Sequence, residues 1–177
     1  LESDSVVGIS GILNGTGNVV LGALEHGTTL DDAISEAQAN GFAEADPSRD
    51  LDGRDALDKV CVIAQRLGWA QPNATSLRET IMDWGSLSSQ SYPARQIARL
   101  GPNHASVGVE AVATDSFFAD TRNEWNAVVL ELNDGSETVL RGKGAGRWAT
   151  SESVFADLLQ LSRDKSENPQ SLELCHA

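Results

Sequence analysis

The sequence is poor in basic side chains, aromatics and cysteine, and each shortage removes a class of function. Lysine and arginine number 13 against 26 aspartates and glutamates, a net charge of −13 over 177 residues. A surface of that sign repels phosphate backbones and anionic lipid headgroups, so neither nucleic acid nor membrane is an expected partner. No apolar run approaches the roughly 18 residues a membrane span requires. The opening Leu1-Glu2-Ser3-Asp4 lacks the basic stretch of a secretory signal. A soluble, cytoplasmic chain is expected. The two cysteines, Cys61 and Cys175, stand far apart, with neither metal-ligand nor redox spacing, and read as inert thiols. The histidines His26, His104 and His176 form no ligand or triad cluster. The sequons Asn14-Gly15-Thr16 and Asn73-Ala74-Thr75 carry little weight without a secretory signal.

What remains is an ordinary globular composition, 40% hydrophobic and 22% charged. A chain of this length buries about 70% of its unfolded surface, enough for one core. It opens almost directly on a strand-like run, Val6 to Ile9, as a piece of something longer would. A glycine-rich polar turn follows over Asn14 to Asn18, then an apolar helical run from Val19 to Leu24 that Gly27 stops. Thr29 can cap a second helix, in which Leu30, Ala33, Ile34 and Ala37 share one face before Asn40-Gly41 ends it. An acidic loop covers Glu44 to Arg54. A third helix runs from Asp55 to Leu67 with Ala56, Val60, Ile63, Ala64 and Leu67 as its apolar stripe.

Short helices are expected over Ser76 to Trp84 and Tyr92 to Leu100, with a polar loop between them. Val107 to Val112 alternates like a half-buried strand. Trp125 to Leu132 and Thr138 to Leu140 make a hairpin around Asn133-Asp134-Gly135-Ser136. A last helix is expected over Thr150 to Leu161, with residues 162–177 a polar, frayed tail. Early helices and late strands lack the strict alternation of a doubly wound sheet. The expected fold is therefore α+β, a mostly antiparallel or mixed sheet with helices on one face, forming one domain over residues 1–177.

Chemistry concentrates in Glu44 to Asp55, where Glu44, Asp46, Asp50, Asp52 and Asp55 precede a helix. Favourable placement of carboxylates at a helix N-terminus, with Asp55 as the cap, is one account. An EF-hand is excluded: with Gly53 at loop position six, Ser48 falls at position one and Lys59 where a bidentate Glu is required. Asp55 and Lys59 are i and i+4, close enough to pair. That pair reads either as a surface ion pair or as part of a site. Lys59 is the only lysine before Lys143, and it is flanked by Leu57, Val60 and Cys61. A lysine partly buried beside carboxylates can exchange a proton with a carbonyl or alcohol oxygen, and the surplus carboxylates can hold a substrate ammonium. The run Gly142-Lys143-Gly144-Ala145-Gly146 is either a tight turn or a place where backbone approaches a ligand. It lacks the βαβ unit of a dinucleotide fingerprint.

Four motifs in order resemble homoserine dehydrogenase: Gly11 to Asn18, Gly41 to Pro47, Asp50 to Lys59, and Gly142 to Gly146 with Thr150. The resemblance runs from Gly8 to about Leu161. It implies NAD(P)-dependent interconversion of L-homoserine and L-aspartate 4-semialdehyde on the route to threonine, methionine and isoleucine. This chain would be the substrate-binding and dimerisation domain, pairing as a homodimer through the sheet region. By motif match, Lys59 falls on the acid/base lysine and Asp55 on the aspartate that orients it at the substrate hydroxyl. Glu44 falls on the ammonium-binding glutamate, with Asp50 as helper. Gly15 and Thr16 fall on the loop facing substrate and nicotinamide, and Gly144 on the turn that approaches the cofactor, NAD or NADP. The family's nucleotide-binding half is absent, so the chain alone is expected to be inactive, and no metal is assigned. Gly17 replaces a common Thr or Ser, Phe42 a frequent Tyr, and Ala149 a usual Pro, while the span from Lys59 to Gly144 is short. The alternatives are a relative acting on another amino-acid semialdehyde and a non-catalytic binding or dimerisation module.

Overall fold

The computed structural model describes residues 5–84 and 93–144, all within a compact unit spanning Leu1–Ala145. Strand β1 (Val6–Ile12) leads into α1 (Gly15–Glu25), α2 (Leu30–Ala39), the short α3 (Ser48–Leu51) and α4 (Arg54–Leu67). A further short helix, α5 (Ile81–Trp84), precedes β2 (Ala94–Gly101), β3 (His104–Ala111), β4 (Trp125–Leu132) and β5 (Glu137–Lys143). The strands form one sheet in the order β3-β2-β1-β4-β5, every pairing antiparallel. The expected α+β class stands, with its sheet antiparallel.

The helices lie against one face of the sheet, because the pleat sends alternate residues to opposite sides. Ala56, Leu57, Val60 and Ala64 of α4 pack on Ile9, Ala98, Leu100 and Val107. Val20 and Leu21 of α1 and Ala33 and Ala37 of α2 meet Leu51, Ile81, Ala94 and Val109. On the opposite face Ile12 and Ile97 are covered by Val112, Ala119 and Phe118, so the segment after β3 closes that side. β5 stays largely exposed at the sheet's edge.

Several boundaries follow local chemistry the sequence already shows. Thr29 caps α2 by accepting a hydrogen bond from Asp32 N, and Gly27 and Gly41 take the left-handed conformation after α1 and α2. The β4–β5 hairpin turns at Asn133 to Ser136 as expected. Three expectations are corrected. Helix α1 starts at Gly15, not Val19, because the Asn14 side chain accepts from Gly17 N at 2.6 Å and caps it. Asp55 is no cap: Gly53, at φ +83°, holds that position, and Asp52 accepts from Arg54 N. The stretch expected as a helix up to Leu100 is strand β2.

The reason for the last is tertiary. Ala, Arg, Gln and Leu favour helices, but β2 is an interior strand, and Arg95 and Gln96 are buried there with partners elsewhere. Arg95 is 1% exposed. Its guanidinium donates to the carbonyl oxygens of Ala94, Phe118, Ala119 and Thr121 and pairs with Glu25. A buried arginine is tolerable when its donors are met in this way. Of the helix expected over Ser76 to Trp84, only a 3-10 turn at Ala74–Ser76 and α5 form. The expected loop between Gly85 and Ser91, the Thr150 to Leu161 helix and the tail lie outside the described residues.

Candidate active site

The i, i+4 pairing of Asp55 and Lys59 is present on α4, with Lys59 Nζ donating to Asp55 Oδ2 at 2.6 Å. The same ammonium donates to the carbonyl oxygen of Leu13, at the end of β1, at 2.8 Å. Lys59 is not buried: its side chain is 45% exposed and that of Asp55 33%. The partial burial expected for the lysine is therefore modest, and two of its three ammonium protons have acceptors among the described residues.

Asn14, 4% exposed, joins this pair to a third group. Its Nδ2 donates to Asp55 Oδ2 at 2.7 Å and to Asp50 Oδ1 at 2.6 Å. Asp50 sits on α3, one turn before the left-handed Gly53 that redirects the chain into α4. A Cβ at Gly53 would lie 3.3 Å from Leu77 and Val107, in a position already strained for any other residue. Burial pushes the Asp50 carboxyl above the usual range. The Asn14 hydrogen bond and the charge of Lys59 lower it, and repulsion from Asp55 and Glu44 raises it. Glu44 is exposed, on the loop whose backbone oxygens accept from Gln38.

Gly15 and Thr16 are buried in the first turn of α1, directly after Asn14. The Thr16 hydroxyl donates to Phe42 O at 2.7 Å, tying the start of α1 to the Gly41 to Pro47 stretch. Asp50, Asp55, Lys59, Gly15 and Thr16 therefore gather from separate segments, and the Thr16 bond to Phe42 O brings up the loop that carries Glu44. Gly144 does not touch them. It follows β5 at the same end of the sheet, two strands from β1, with its N–H donating to Glu124 O. A side chain there would run into Asn126, which accounts for the glycine sterically. Ala145, Gly146 and Thr150 lie outside the described residues.

Asn14, Asn126 and the Leu13 carbonyl were not among the expected site residues. Asparagine before a glycine-rich helix start is a recognisable N-cap signal, but its link to Asp50 and Asp55, 36 and 41 residues away, leaves no local trace. Asn126 Oδ1 is buried with no hydrogen-bond partner among the described residues. It lies beside Gly144, one residue along β4 from the Ile12–Ala127 pairing. A separate recess of about 500 Å³ between α1, α2 and residues 122–124 contains none of these groups. His26 and His104 are exposed and apart, and Cys61 is a free thiol on α4. Among the described residues no helix is long and apolar enough to cross a membrane.

An antiparallel sheet backed by helices, with one lysine held by the Asp55 carboxylate and the Leu13 carbonyl oxygen just past the end of its central strand, defines the class as an α+β domain. Comparison with known proteins narrows the class. The sequence model of homoserine dehydrogenase matches residues 1–159, and the chain belongs to that family. It is 30% identical over 181 residues to the NAD(+)-dependent homoserine dehydrogenase of Pseudomonas canavaninivorans, covering 96% of this chain and 51% of that protein. With the homoserine dehydrogenase of Pseudomonas aeruginosa it shares 28% identity, over 97% and 42% respectively. The crystal structure of the S. aureus homoserine dehydrogenase superposes with a TM-score of 0.72 at 29% identity, covering 96% of this chain and 46% of that one. A hyperthermophilic archaeal homoserine dehydrogenase in complex with NADPH also gives 0.72, at 27% identity, over 90% and 48%. The chain spans about half the length of the curated relatives it matches.

Proposed function

We propose that this chain is the substrate-binding and dimerisation half of an NAD(P)-dependent homoserine dehydrogenase interconverting L-homoserine and L-aspartate 4-semialdehyde. One observation carries the reading: in a chain of this family, Lys59 Nζ is fixed by Asp55 and Leu13 O within a cluster of carboxylates. The substrate carries an ammonium group at one end and its reacting oxygen at the other. It needs an anionic grip and a proton donor held apart from each other. Glu44 accepts the ammonium and Asp50 assists. Lys59 gives a proton to the aldehyde oxygen during reduction and takes one from the hydroxyl during oxidation, while Asp55 orients Nζ. Gly15 and Thr16 form the wall facing substrate and nicotinamide.

NAD or NADP supplies or accepts the hydride when bound. The Gly144 turn fits that neighbourhood, because Asn126 Oδ1 offers a buried acceptor with no partner among the described residues and Gly144 keeps the backbone bare. These residues would border the nicotinamide, and the nucleotide would be held mainly by residues outside this chain. No metal is invoked. The exposed β5 edge, with Val139 and Leu140 at 47% and 55% exposure, supports a homodimer formed through the sheet. The reaction places the protein on the cytoplasmic route to threonine, methionine and isoleucine.

The test is homoserine-dependent reduction of NAD and NADP by the full-length protein. Turnover with either identifies substrate and cofactor. A folded, nucleotide-binding protein that leaves homoserine untouched would overturn the assignment in favour of another semialdehyde.

A further inference from the structure

Asn14 uses its whole amide. Nδ2 donates one proton to Asp50 Oδ1 and the other to Asp55 Oδ2, while Oδ1 accepts from Gly17 N. Chemistry forces this orientation. With the amide reversed, its oxygen would face two carboxylates and its NH₂ group a backbone N–H. Asp55 Oδ2 is also the acceptor for Lys59 Nζ, and the other Lys59 bond goes to Leu13, the residue before Asn14. The ammonium has three protons, so two fixed bonds aim the third.

We propose that Asn14 is the positioning residue of this site, its single amide holding Asp50 and Asp55 side by side and, through Asp55, fixing the Lys59 ammonium. The inference rests on the homoserine dehydrogenase reading above and adds a residue to it. Other side chains that cap helices fall short here. Serine has only one proton to donate, and aspartate would place a third carboxylate against two others. The cap is also tight: a Cβ at Gly17 would lie 3.3 Å from Asn14 Oδ1 and 2.9 Å from Ile81 Cδ1.

The charged and polar groups around Asp50 are Asn14 at the start of α1, Asp55 and Lys59 on α4, Glu44 on its loop, and Gln96 on β2, whose Nε2 donates to the Asp50 backbone oxygen. Of these, the Asn14 bond does most to keep the carboxyl ionised against burial. Removing that donor lets Asp50 take up its proton at higher pH, and with it the grip on a substrate ammonium is lost at higher pH.

The experiment uses the full-length protein with Asn14→Ser and Asn14→Asp, both of which retain a capping oxygen. It follows homoserine oxidation across pH, thermal unfolding, and the Asp50 carboxyl titration by NMR. The unfolding temperature of Asn14→Ser should stay within several degrees of the parent, and that of Asn14→Asp should fall further, because it sets a third carboxylate against two others. The expected loss in kcat is about tenfold for Ser and about a hundredfold for Asp, no more than the lower end of the roughly 10²–10⁴ that a general acid or base contributes, because the lysine itself remains. The acid limb of kcat/KM should move to higher pH in both. Folded variants with unchanged kcat and an unchanged acid limb would reduce Asn14 to a helix cap and overturn the proposal. If Asn14→Asp fails to fold, Asn14→Ser decides. If the parent protein ignores homoserine, the functional reading fails while positioning is still judged by the titration. An upward move of Asp50 in Asn14→Ser upholds it, and an unmoved midpoint overturns it.

Discussion

Replacing Lys59 separates chemistry from stability cleanly, because the structure makes the residue cheap to lose for folding. Its side chain is 45% exposed and its partner Asp55 33% exposed. An ion pair that open to water contributes about 0.2–1 kcal/mol. Asp55 also keeps its hydrogen bond from Asn14 when the lysine is gone. Lys59→Ala in the full-length protein should therefore lower the unfolding temperature by no more than a few degrees. A general acid at a carbonyl oxygen contributes roughly 10²–10⁴ in rate. At about 1.36 kcal/mol per tenfold, that is about 3–5 kcal/mol of barrier, several times the folding cost. The assay is homoserine-dependent nicotinamide reduction at saturating substrate, alongside thermal unfolding. Lys59→Arg sharpens the result. A guanidinium keeps the charge and the pairing with Asp55, yet does not release its proton near neutral pH. The Arg variant should keep the parent's stability and a kcat as low as that of Ala. A kcat restored by Arg would show that position 59 acts as a fixed charge, and a kcat unchanged by Ala would remove the residue from the mechanism.

Other expectations follow from the same geometry. Glu44→Gln removes an exposed anion from the proposed ammonium grip and should raise the KM for homoserine about tenfold, the scale of one charge-assisted hydrogen bond, with kcat little changed; an unaltered KM would place the ammonium elsewhere. Asp50 has a folded-state pKa raised by burial, so the folded chain binds that proton more tightly than the unfolded one. Ionised Asp50 thus costs stability above its folded pKa, and the cost disappears as pH falls through that value. Asp50→Asn should unfold at the same or a higher temperature at pH 7, with the gain vanishing in acid while substrate binding is lost; a large drop at pH 7 would contradict the sign. Arg95→Met removes the cation paired with the mostly buried Glu25 and the donor to several carbonyls, and should cost about 3–5 kcal/mol, read by denaturant unfolding. Leu140→Glu on the exposed β5 edge should shift the sedimenting species from dimer to monomer, and a dimer that survives it would move the interface off that edge.

What the sequence shows depends on how far away each residue's partner sits. Lys59 and Asp55 were legible because a helix brings i and i+4 together whatever surrounds it. Thr29, Gly27 and Gly41 mark helix ends through one-residue backbone preferences, and the β4–β5 hairpin through its Asn-Asp-Gly-Ser turn. The four ordered motifs were enough to indicate the family, and the family model bears that out. The misreadings share a different cause. Arg95 and Gln96 look like the wet side of a helix, yet they are buried in a central strand. The acceptors for Arg95 lie up to 26 residues further along the chain and, in Glu25, 70 residues before it, and Gln96 donates back to Asp50.

Asn14 is hidden for the same reason. In sequence it is a turn residue and a sequon, and only the folded chain brings it to Asp50 and Asp55. Burying a polar side chain costs free energy unless every donor and acceptor is met. A buried polar residue therefore stays buried only if the distant segments that satisfy it are held in register. Arg95 does this for β2 and the segment after β3, where its bonds fix Phe118 to Thr121. Asn14 does it for β1, α3 and α4, and through them for the direction of one lysine proton. A substitution at Asn14 that left Asp50, Asp55 and Lys59 unperturbed would mean that helix packing alone suffices to aim that proton. The exposure of Lys59 argues against this, since a half-exposed lysine chain has little packing of its own to hold it.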